Sequence, residues 1–462
     1  MTQARLFTAA TPQPYWRETV ADPLQAAPLD GDVTCDLAIV GGGFSGLWSA
    51  LKARERFPDA RIVVLEGDRL GHAASGRNGG FCAPSISHGV TNAANRWPAE
   101  AETLVRLGRE NLDALEQDLD RHGIDGGFER RGKLNVAATP WQAEGLRQMQ
   151  ETYARFGIET DYLEGAALDA RFRTPRYSAG LFEPNYALVN PARLVDGLAK
   201  AAQAGGVIIH ERSRVTALAG EADGVRLTTE AGTVRARQVI LATNAAVPLL
   251  RRLRFAIIPI WDYTLMSAPL SDDQLAAIGW TGRYGIADSG NQFHYFRKTE
   301  DNRILWGGYD AIYHFGGKRD PHLHDRAETY ETLEANFREA FPALDGIGFT
   351  HRWGGIIDTS ARMTAFVGTA MQGRVAYALG FTGQGVSASR FGALTMLDLL
   401  EGRVTERTQL RMLRSPAVPF PPEPFRSLAV AWAQRDLARE DRTGHRSLML
   451  RALDRLRIGF GS

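Results

Sequence analysis

The sequence predicts an α/β plus α+β fold, in which a discontinuous domain with a parallel sheet is interrupted by a second domain with an antiparallel sheet. Three observations favour this fold. A buried strand, a glycine-rich loop, a helix and a second buried strand follow one another over residues 35–67. Segments of the same α/β type recur at 190–250 and 350–402. Between them lie aromatic-rich stretches with strand-like alternation, which are typical of antiparallel sheets.

The first α/β unit is the most regular part of the chain. CDLAIV (35–40) is short, apolar and β-branched, which predicts a buried strand. LWSALKARERF predicts a helix, and ARIVVLEG (60–67) predicts a second buried strand. The unit spans about thirty residues, the length expected of a parallel crossover.

Further elements follow in order. Helical periodicity covers residues 100–122 and 141–157, and GFERRGKLNVAA (127–138) predicts a hairpin. Residues 190–206 predict a helix with Pro191 in its first turn and a glycine pair at its end. The continuous apolar segment QVILATNA predicts a strand buried in a parallel sheet. Residues 326–341 predict a helix, and 373–402 predict a strand, a glycine-rich loop and a helix.

These segments define the expected domains. The first domain comprises residues 33–99, 190–250 and 350–405, and the second comprises 100–189 and 251–349. Residues 1–32, rich in Pro and Ala, are expected to form an extended arm. Residues 406–462 are expected to form a Pro-rich linker and a charged helical tail, docked on its own chain or on a dimer partner. The second domain should supply the far wall of a pocket.

Composition restricts the function classes. Of 462 residues, 44% are hydrophobic and 23% are charged, an ordinary globular mixture. A net charge of +1 argues against binding to nucleic acid or to an anionic membrane. We found no signal peptide, no integral membrane segment, no metal-ligand spacing and no disulfide framework around Cys35 and Cys82. We therefore expect a cytoplasmic monomer or homodimer without a metal, in which His322 and His324 lie in a solvated loop.

The glycine-rich loop of the first unit predicts a dinucleotide site. Gly41, Gly43 and Gly46 form G-x-G-x-x-G between a strand and a helix, with Phe44 and Ser45 in the same turn. The glycines allow close approach to a pyrophosphate, and the helix N-terminus offers N–H groups and a positive dipole. Glu66, 20 residues after Gly46, can accept hydrogen bonds from a ribose and argues against a 2′-phosphate.

Two more glycine-rich loops favour FAD, bound without a covalent link, over NAD. In SGRNGG (75–80), Ser75 and Arg77 can meet phosphate or ribitol oxygens, and Asn78, Gly79 and Gly80 let the backbone approach the ring. A third loop precedes a helix whose N-terminus could stabilise reduced flavin. It contributes Gly383, Gln384, Gly385 and Val386, and we also assign Val215 and Thr243 to the cofactor site.

The third loop has a second interpretation, because GQGVSA also fits a dinucleotide motif. No strand ending in an acid follows its helix, which argues against a separate NAD(P) site. Reducing equivalents should then come from the substrate itself. Phe81 and Cys82, directly after the second loop, are expected at the edge of the active site.

These pieces resemble the FAD-dependent D-amino-acid oxidase superfamily. The resemblance rests on VGGGFSGLWSAL with Glu66, GHAASGRNGGF, VILATNA, HRWGGIIDTSARM and LGFTGQGV, and covers about residues 33–425. Within the superfamily, the sequence is similar to gamma-glutamylputrescine oxidase-like amine oxidases and to aminophosphonate oxidoreductases. It departs from the former at Gln384, where His is usual, and at Thr364, where Pro is expected. Substrate identity is therefore not carried over.

The resemblance implies a Rossmann-like FAD-binding domain with an inserted substrate domain. It also implies oxidation of the C–N bond of a small amine or amino acid to an imine by hydride transfer to flavin N5. The imine would hydrolyse to a carbonyl, and O2 is the expected electron acceptor, giving H2O2. Two other functions stay open at this point, an NAD-dependent oxidoreductase and a non-catalytic flavin-binding regulatory or assembly protein.

An aromatic pocket would favour the neutral amine by desolvating the ammonium. We therefore expect Trp261 and Tyr263, which share one face of a strand, and Trp353 to contact the substrate; core packing is the alternative. Arg352 could bind a substrate carboxylate or instead pair with Asp358. Gln384 is expected beside the flavin. The predicted catalytic set is Trp353, Arg352, Gln384, Trp261 and Tyr263.

Overall fold

The computed structural model describes residues 5–459, which form two eight-stranded sheets, one three-stranded sheet and the helices that cover them. In chain order, the strands are β1 (Val33–Val40), β2 (Ile62–Leu65), β3 (Phe81–Cys82), β4 (Glu129–Arg130), β5 (Lys133–Ala137), β6 (Asp161–Glu164), β7 (Ala179–Glu183), β8 (Ala187–Leu188), β9 (Ile208–His210), β10 (Ala217–Glu221), β11 (Gly224–Thr228), β12 (Thr233–Leu241), β13 (Ile257–Ser267), β14 (Gly285–Asp288), β15 (His294–Lys298), β16 (Ile304–Gly308), β17 (Phe349–Ser360), β18 (Phe366–Ala370) and β19 (Val375–Leu379).

The α-helices, in the same order, are α1 (Phe44–Arg56), α2 (Val90–Arg96), α3 (Ala101–His122), α4 (Pro140–Arg155), α5 (Ala166–Asp169), α6 (Pro191–Ala204), α7 (Asp272–Ile278), α8 (Ala327–Ala340), α9 (Gly385–Leu400), α10 (Glu406–Gln409), α11 (Arg411–Arg414), α12 (Phe425–Thr443) and α13 (Leu448–Arg455). Residues 1–4 and 460–462, the outermost parts of the predicted arm and tail, lie outside the described residues.

The first sheet is built around the predicted α/β unit. β1 pairs in parallel with β2 on one side and with β12 on the other, and β9 and β19 extend the parallel part. β10, β11 and β18 add antiparallel edges. β1, β2 and β12 are apolar because α1, α6 and α9 lie beside them in one core. The prediction of a parallel sheet with the QVILATNA segment inside it is confirmed.

The second sheet runs in the order β17-β13-β16-β15-β14-β5-β7-β6. Its pairs are antiparallel apart from β14 with β5, so the expected antiparallel architecture is confirmed. β17 pairs with β13 along its whole length and so belongs to this sheet, although residues from 350 onward were assigned to the first domain. The domain boundaries themselves stay a prediction.

The predicted hairpin at 127–138 is not formed. β4 pairs with β8 in the three-stranded sheet, whereas β5 pairs with β7 and β14 in the second large sheet. Gly132 lies between the two strands with a φ of +84° and redirects the chain from one sheet to the other. The alternation that indicated two strands was correct, but their partners come from elsewhere in the chain.

Helix α8 covers one face of the second sheet. Tyr330, Leu333 and Phe337 on this helix pack in one apolar cluster with aromatic residues of β13, β15 and β16. The indole of Trp306 on β16 donates a hydrogen bond to the carbonyl of Leu333 at 3.1 Å. This packing determines which face of the sheet is left for the cavity described below.

The N-terminal arm and the C-terminal tail both contact the rest of the chain. The arm contains a short 3-10 helix, Tyr15–Thr19, whose Trp16 is buried. In the tail, the Asp441 carboxylate accepts hydrogen bonds from the backbone N–H groups of Asn291 and Gln292 at 2.7 and 2.8 Å. The tail is therefore docked on its own chain. Over residues 5–459, no helix combines the length and the hydrophobicity needed to cross a membrane.

Candidate active site

A cavity of about 1580 Å³ is lined by residues of both large sheets. Its lining includes the loops that follow β1, β2 and β12 and the strands β13, β15 and β16. Pockets for one small molecule usually hold about 300–1,000 Å³. This cavity therefore has room for a cofactor and a substrate together.

The first glycine loop needs all three of its motif glycines. A Cβ on Gly41 (φ +112°) would overlap the carbonyl of Ala242, and one on Gly46 would overlap the carbonyl of Gly41. A Cβ on Gly43 would lie 2.7 Å from the Ser75 hydroxyl oxygen. Gly43, the residue before helix α1, provides no side-chain cap. Apart from the N–H of Phe44, which the Ser75 hydroxyl accepts, the N-terminal N–H groups and the dipole of α1 are therefore left for the cavity. Gly41, Gly43, Phe44 and Ser45 line the cavity, with Gly46 packed behind them.

Glu66 lines the cavity beside this loop. Its Oε2 accepts a hydrogen bond from the N–H of Gly42 at 2.6 Å, and its Oε1 accepts one from the N–H of Asp68 at 2.9 Å. Burial raises the pKa of Glu66, while these two hydrogen bonds lower it. The carboxylate is thus fixed by the backbone at the position where the motif predicts a ribose contact.

The second glycine loop, residues 75–80, is joined to the first. The Ser75 hydroxyl accepts a hydrogen bond from the N–H of Phe44 at 2.9 Å. The Arg77 guanidinium donates to the carbonyls of His72 and Gly354, at 2.7 and 2.9 Å. Asn78 accepts from the N–H of Gly80 at 2.8 Å. Arg77 and Asn78 therefore shape the loop itself, and their expected contacts with phosphate or ring stay a prediction.

Two buried indoles hold this loop from outside. Trp16 donates to the carbonyl of Asn78, and Trp353 donates to the carbonyl of Arg77, both at 2.9 Å. Trp353 is only 2% exposed and is not among the residues that line the cavity. This placement differs from the expected substrate contact. Trp353 instead supports two consecutive peptide units of the second glycine loop together with Trp16.

The third glycine loop lies at the N-terminus of helix α9. Gly383, Gln384, Gly385 and Val386 all line the cavity, and the helix has no side-chain cap. The Asp358 carboxylate holds the preceding turn by accepting hydrogen bonds from the N–H groups of Gly380 and Phe381, at 2.6 and 3.3 Å. A second helix N-terminus is thus directed at the cavity that α1 faces, and it can stabilise negative charge there.

These features fit FAD. A dinucleotide needs backbone approach at the pyrophosphate, which the Gly41, Gly43 and Gly46 packing provides, and a flavin ring needs a second anion-stabilising element, which α9 provides. The remaining predicted contacts lie on the cavity lining at Ser75, Arg77, Asn78, Gly79, Val215 and Thr243. Gly80 lies behind the lining, where a Cβ added to this residue would overlap the carbonyl of Val189. Phe81 lines the cavity, and Cys82 is a fully buried free thiol behind it.

The predicted aromatic face of β13 is turned away from the cavity. The Trp261 indole donates to the carbonyl of Lys318 at 3.1 Å, and the Tyr263 hydroxyl donates to that of Leu323 at 2.8 Å. Both side chains are fully buried on the side covered by α8. The opposite face places Ile260, Asp262 and Thr264 on the cavity. The alternation was assigned correctly, but the large apolar face packs on the helix because burial there removes more apolar surface from water.

A polar triad on the cavity lining was missed. The Tyr295 hydroxyl donates to Asp262 Oδ2 at 2.5 Å and lies 3.1 Å from the Thr264 hydroxyl. Burial raises the pKa of Asp262 to about 6, although the hydrogen bond from Tyr295 lowers it. The sequence signal was present, since an acid and a threonine alternate with Trp261 and Tyr263. A half-buried acid with a raised pKa on a cavity lining is a candidate functional group.

The Arg352 guanidinium binds other residues of the chain and not the cavity. It forms a two-point ion pair with Asp325, at 2.8 and 3.1 Å, and donates to the carbonyls of Phe7, Thr8 and Ala10. It does not line the cavity. The alternative ion pair was therefore the better expectation, although its partner is Asp325 and not Asp358.

His324 is not in a solvated loop. Its Nδ1 lies 2.8 Å from the carbonyl of Gly354, and the ring lines the cavity. Burial, together with the nearby Arg77, lowers the pKa of His324 to about 4. His322 is exposed, as expected. The expectation of a solvated loop is thus wrong for His324, which is a neutral side chain of the cavity lining.

A cavity with two helix N-termini, tightly packed glycines and an acid at the ribose position defines a flavin-dependent oxidoreductase. The chain belongs to the family of FAD-dependent oxidoreductases of the D-amino-acid oxidase type, whose profile matches residues 36–399. Because FAD is the family's cofactor, the alternative of an NAD-dependent oxidoreductase is set aside.

Relatives cover most of the chain. It is 30% identical over 398 residues to gamma-glutamylputrescine oxidoreductase of Escherichia coli strain K12. The aligned region covers 85% of this chain and 89% of the relative. It is 24% identical over 385 residues to glycine oxidase of Geobacillus kaustophilus, covering 80% and 94%. The crystal structure of the glycine oxidase superposes with a TM-score of 0.68 at 22% identity, covering 81% of this chain and 96% of the other.

Proposed function

We propose that this oxidoreductase oxidises the C–N bond of a small amine or amino acid to an imine, which water then hydrolyses to a carbonyl compound. The observation that carries the proposal is the Asp262–Tyr295–Thr264 triad on the lining of the cavity that fits FAD. Gamma-glutamylputrescine and glycine, named for the two relatives, are both amines, which supports this substrate class.

The triad suits the proton chemistry of such a reaction. An amine is a protonated ammonium near neutral pH and must lose a proton before its C–N bond is oxidised. As a carboxylate, Asp262 can bind the ammonium and accept that proton. The hydrogen bond from Tyr295 orients the carboxylate, and burial keeps the pKa of Asp262 closer to that of the substrate than an exposed acid would be.

The remaining chemistry is supplied by the cofactor. Bound FAD would supply the hydride acceptor and the two-electron transfer to an oxidant. With O2 as acceptor, the amine, O2 and water give a carbonyl compound, ammonia or an amine, and H2O2. Gln384 and the N-terminus of α9 are the residues of this chain proposed to lie beside the ring.

An anaerobic flavin-bleaching screen tests the proposal. Purified holoenzyme is mixed, without oxygen, with primary amines, N-methyl amines, amino acids, aminophosphonates and 2-hydroxy acids. We expect at least one amine or amino acid to bleach the flavin and air to restore the colour with formation of H2O2. Bleaching by hydroxy acids alone would overturn C–N oxidation, and bleaching by no compound would favour a non-catalytic flavin-binding regulatory or assembly protein. A flavin that stays bleached after air is admitted would replace O2 by another acceptor.

We further propose a cytoplasmic monomer or homodimer. Both thiols, Cys35 and Cys82, are buried and unpaired, which suits a reducing compartment. Cell fractionation and light scattering of the purified holoenzyme test these two points, and recovery in a membrane fraction or as a larger oligomer would contradict them.

A further inference from the structure

A second polar region of the same cavity is not used by the proposed proton chemistry. It contains Lys133 at the start of β5, His88 before α2 and Arg96 at the end of α2, all on the cavity lining. We call these three residues the basic subsite. Each of them carries a nitrogen that lacks a protein partner among residues 5–459, as the next two paragraphs describe.

Lys133 is the first member. Within the described chain its ammonium has no hydrogen bond or ion pair, and it lies 5.6 Å from the centre of the Tyr186 ring. Burial lowers the pKa of Lys133, while Glu183 raises it. Burial in turn raises the pKa of Glu183 to about 7. Glu183 lies directly opposite Lys133 in the β5–β7 pairing and moderates its charge, but within the described residues no ion pair or hydrogen bond joins the two side chains. The donors of the lysine ammonium are thus left for a ligand.

His88 and Arg96 add further polar nitrogens, the first on a neutral ring because burial lowers the pKa of His88 to about 4. His88 has a φ of 63°, a left-handed conformation that is uncommon outside glycine and is often found at functional sites. Its Nδ1 and the Nη1 of Arg96 are buried and have no hydrogen-bond partner within residues 5–459. Arg96 is only 4% exposed. Thr91 Oγ1 and Trp141 Nε1, which also line the cavity, likewise have no hydrogen-bond partner within residues 5–459. Unpaired buried donors are costly and need an explanation.

Two acids of the C-terminal tail near the basic subsite form ion pairs with an arginine of the tail. Glu440 and Asp454 line this part of the cavity, and both pair with Arg446, at 2.7 and 2.6 Å. Arg446 is one cation shared by two carboxylates, but Arg457 also lines the cavity and donates to the carbonyl of Arg96 at 3.2 Å. Lys133, Arg96, Arg446 and Arg457 therefore set four cations against the carboxylates of Glu440 and Asp454, so this part of the lining is positive overall.

An aromatic path connects the basic subsite with the triad. Phe81 lies edge-to-face with Tyr186 at 6.4 Å and with Tyr295 at 5.9 Å between ring centres. Tyr186 contacts Lys133, and Tyr295 contacts Asp262. A carboxylate and an ammonium thus lie at the two ends of one row of three rings.

We propose that the basic subsite binds an anionic group at the far end of the substrate, so that the enzyme prefers amines that carry a carboxylate or a phosphonate. This inference rests on the proposed amine oxidation. Asp262 would receive the ammonium end and Lys133, with His88 and Arg96, the anionic end. The aliphatic part of the substrate would lie along Phe81, Tyr186 and Tyr295.

The test compares three amines of similar length on holoenzyme, namely n-octylamine, 8-aminooctanoate and 7-aminoheptylphosphonate, whose chains are long enough to follow the row of three rings. We expect kcat/KM to be higher for one or both anionic amines than for n-octylamine. The measured quantity is kcat/KM for the anionic amine divided by kcat/KM for the amine without an anionic group. Lys133→Met should reduce this ratio about 10- to 100-fold, as expected when a charge-assisted hydrogen bond is lost. The difference between the two anions shows whether the subsite is shaped for a planar carboxylate or a tetrahedral phosphonate.

Lys298→Met is the matched control. Lys298 is likewise a lysine of the second sheet, but it is buried, its ammonium donates to the carbonyl of Trp280 at 2.7 Å, and it is not on the cavity lining. We expect it to leave the ratio unchanged. Equal ratios in wild type and Lys133→Met would overturn the inference while leaving amine oxidation intact, and failure of every amine to bleach the flavin would overturn the proposed function first.

A binding measurement does not depend on turnover. Butanoate and propylphosphonate carry no amine, so they can occupy the subsite without being oxidised. Titrated into the holoenzyme, at least one should change the visible flavin spectrum saturably, and Lys133→Met should weaken that binding about 10- to 100-fold. A spectrum unaffected by both anions, or identical affinities in the two proteins, would contradict the assignment.

Discussion

At the scale of single residues, Asp262 gives the sharpest expectation. We predict that Asp262→Asn lowers kcat/KM for the best amine about 100-fold, because an amide cannot take the ammonium proton. Since burial raises the pKa of Asp262 to about 6, wild-type activity should fall as pH drops through about 6 and the carboxylate is protonated. This limb of the pH profile should be missing in the variant.

Tyr295→Phe serves as the graded comparison. It removes the hydrogen bond that lowers the pKa of Asp262, so the same limb should move to higher pH. The substrate's own titration is common to all three proteins and cancels in the comparison. A profile that keeps its limb near pH 6 in Asp262→Asn would remove Asp262 from the proton chemistry.

A second residue-scale prediction concerns Gly43. Its Cβ would lie 2.7 Å from the Ser75 hydroxyl oxygen, which itself accepts the N–H of Phe44. We predict that Gly43→Val is purified without flavin colour, because the larger side chain separates the two glycine loops and fills the space at the N-terminus of α1. The flavin content is measured from the visible spectrum after denaturation.

Gly348→Val is the control for this change, because a Cβ at Gly348 meets no atom within 4 Å. It should retain wild-type flavin content. Full flavin loading in Gly43→Val would contradict the assignment of the first glycine loop to the pyrophosphate.

The glycine loops could be predicted from sequence because their spacing is local and their chemistry is carried by the backbone. The substrate side could not be predicted in the same way. β13 has two faces, and an alternating pattern does not say which face a distant helix will cover. The aromatic residues Trp261 and Tyr263 suggested a pocket, but α8 packs against them. Asp262 became visible as a candidate only once that packing was known.

At the scale of elements, the two indoles give the next prediction. Trp16 and Trp353 come from the arm and from β17, yet they hold consecutive carbonyls of the second glycine loop. We predict that Trp16→Phe and Trp353→Phe each weaken FAD binding by the equivalent of about 1 kcal/mol, the usual value of one hydrogen bond. Equilibrium dialysis of FAD measures the effect.

The double variant distinguishes a shared role from two separate ones. If both indoles fix one loop, their effects should be non-additive, since residues in one network couple. Phenylalanine keeps most of the packing, whereas alanine at Trp353 would also cost about 3–5 kcal/mol of stability. Strictly additive effects, or wild-type FAD affinity in both single variants, would contradict a positioning role.

Element pairing was only partly accessible from sequence. β1, α1 and β2 are neighbours in the chain, so their arrangement follows from short-range pattern and the right length of crossover. β4 and β5 are also neighbours, but they enter different sheets, because β8 and β7 supply their partners. Local alternation predicts strands well and their partners poorly when the competing partner lies about fifty residues away.

At the scale of the whole molecule, the cavity is lined by both sheets, so cofactor binding should couple them. We predict a single unfolding transition for holoenzyme in scanning calorimetry and a higher Tm with excess FAD, because a ligand that binds only the folded state stabilises it. At a free FAD concentration of 100 Kd, the stabilisation is about 2.7 kcal/mol. Two transitions, of which FAD raises only one, would show that the sheets unfold independently.

The positions of the two indole donors also bear on the biosynthesis of the protein. The nucleotide fingerprint is complete by residue 46 and the second glycine loop by residue 80, yet one of the two donors that fix this loop is Trp353. Domains generally begin to fold from the N-terminal side during synthesis. We therefore expect a growing chain to carry the whole recognition motif long before it can retain a flavin. Cofactor capture should be a late event, close to release of the finished polypeptide.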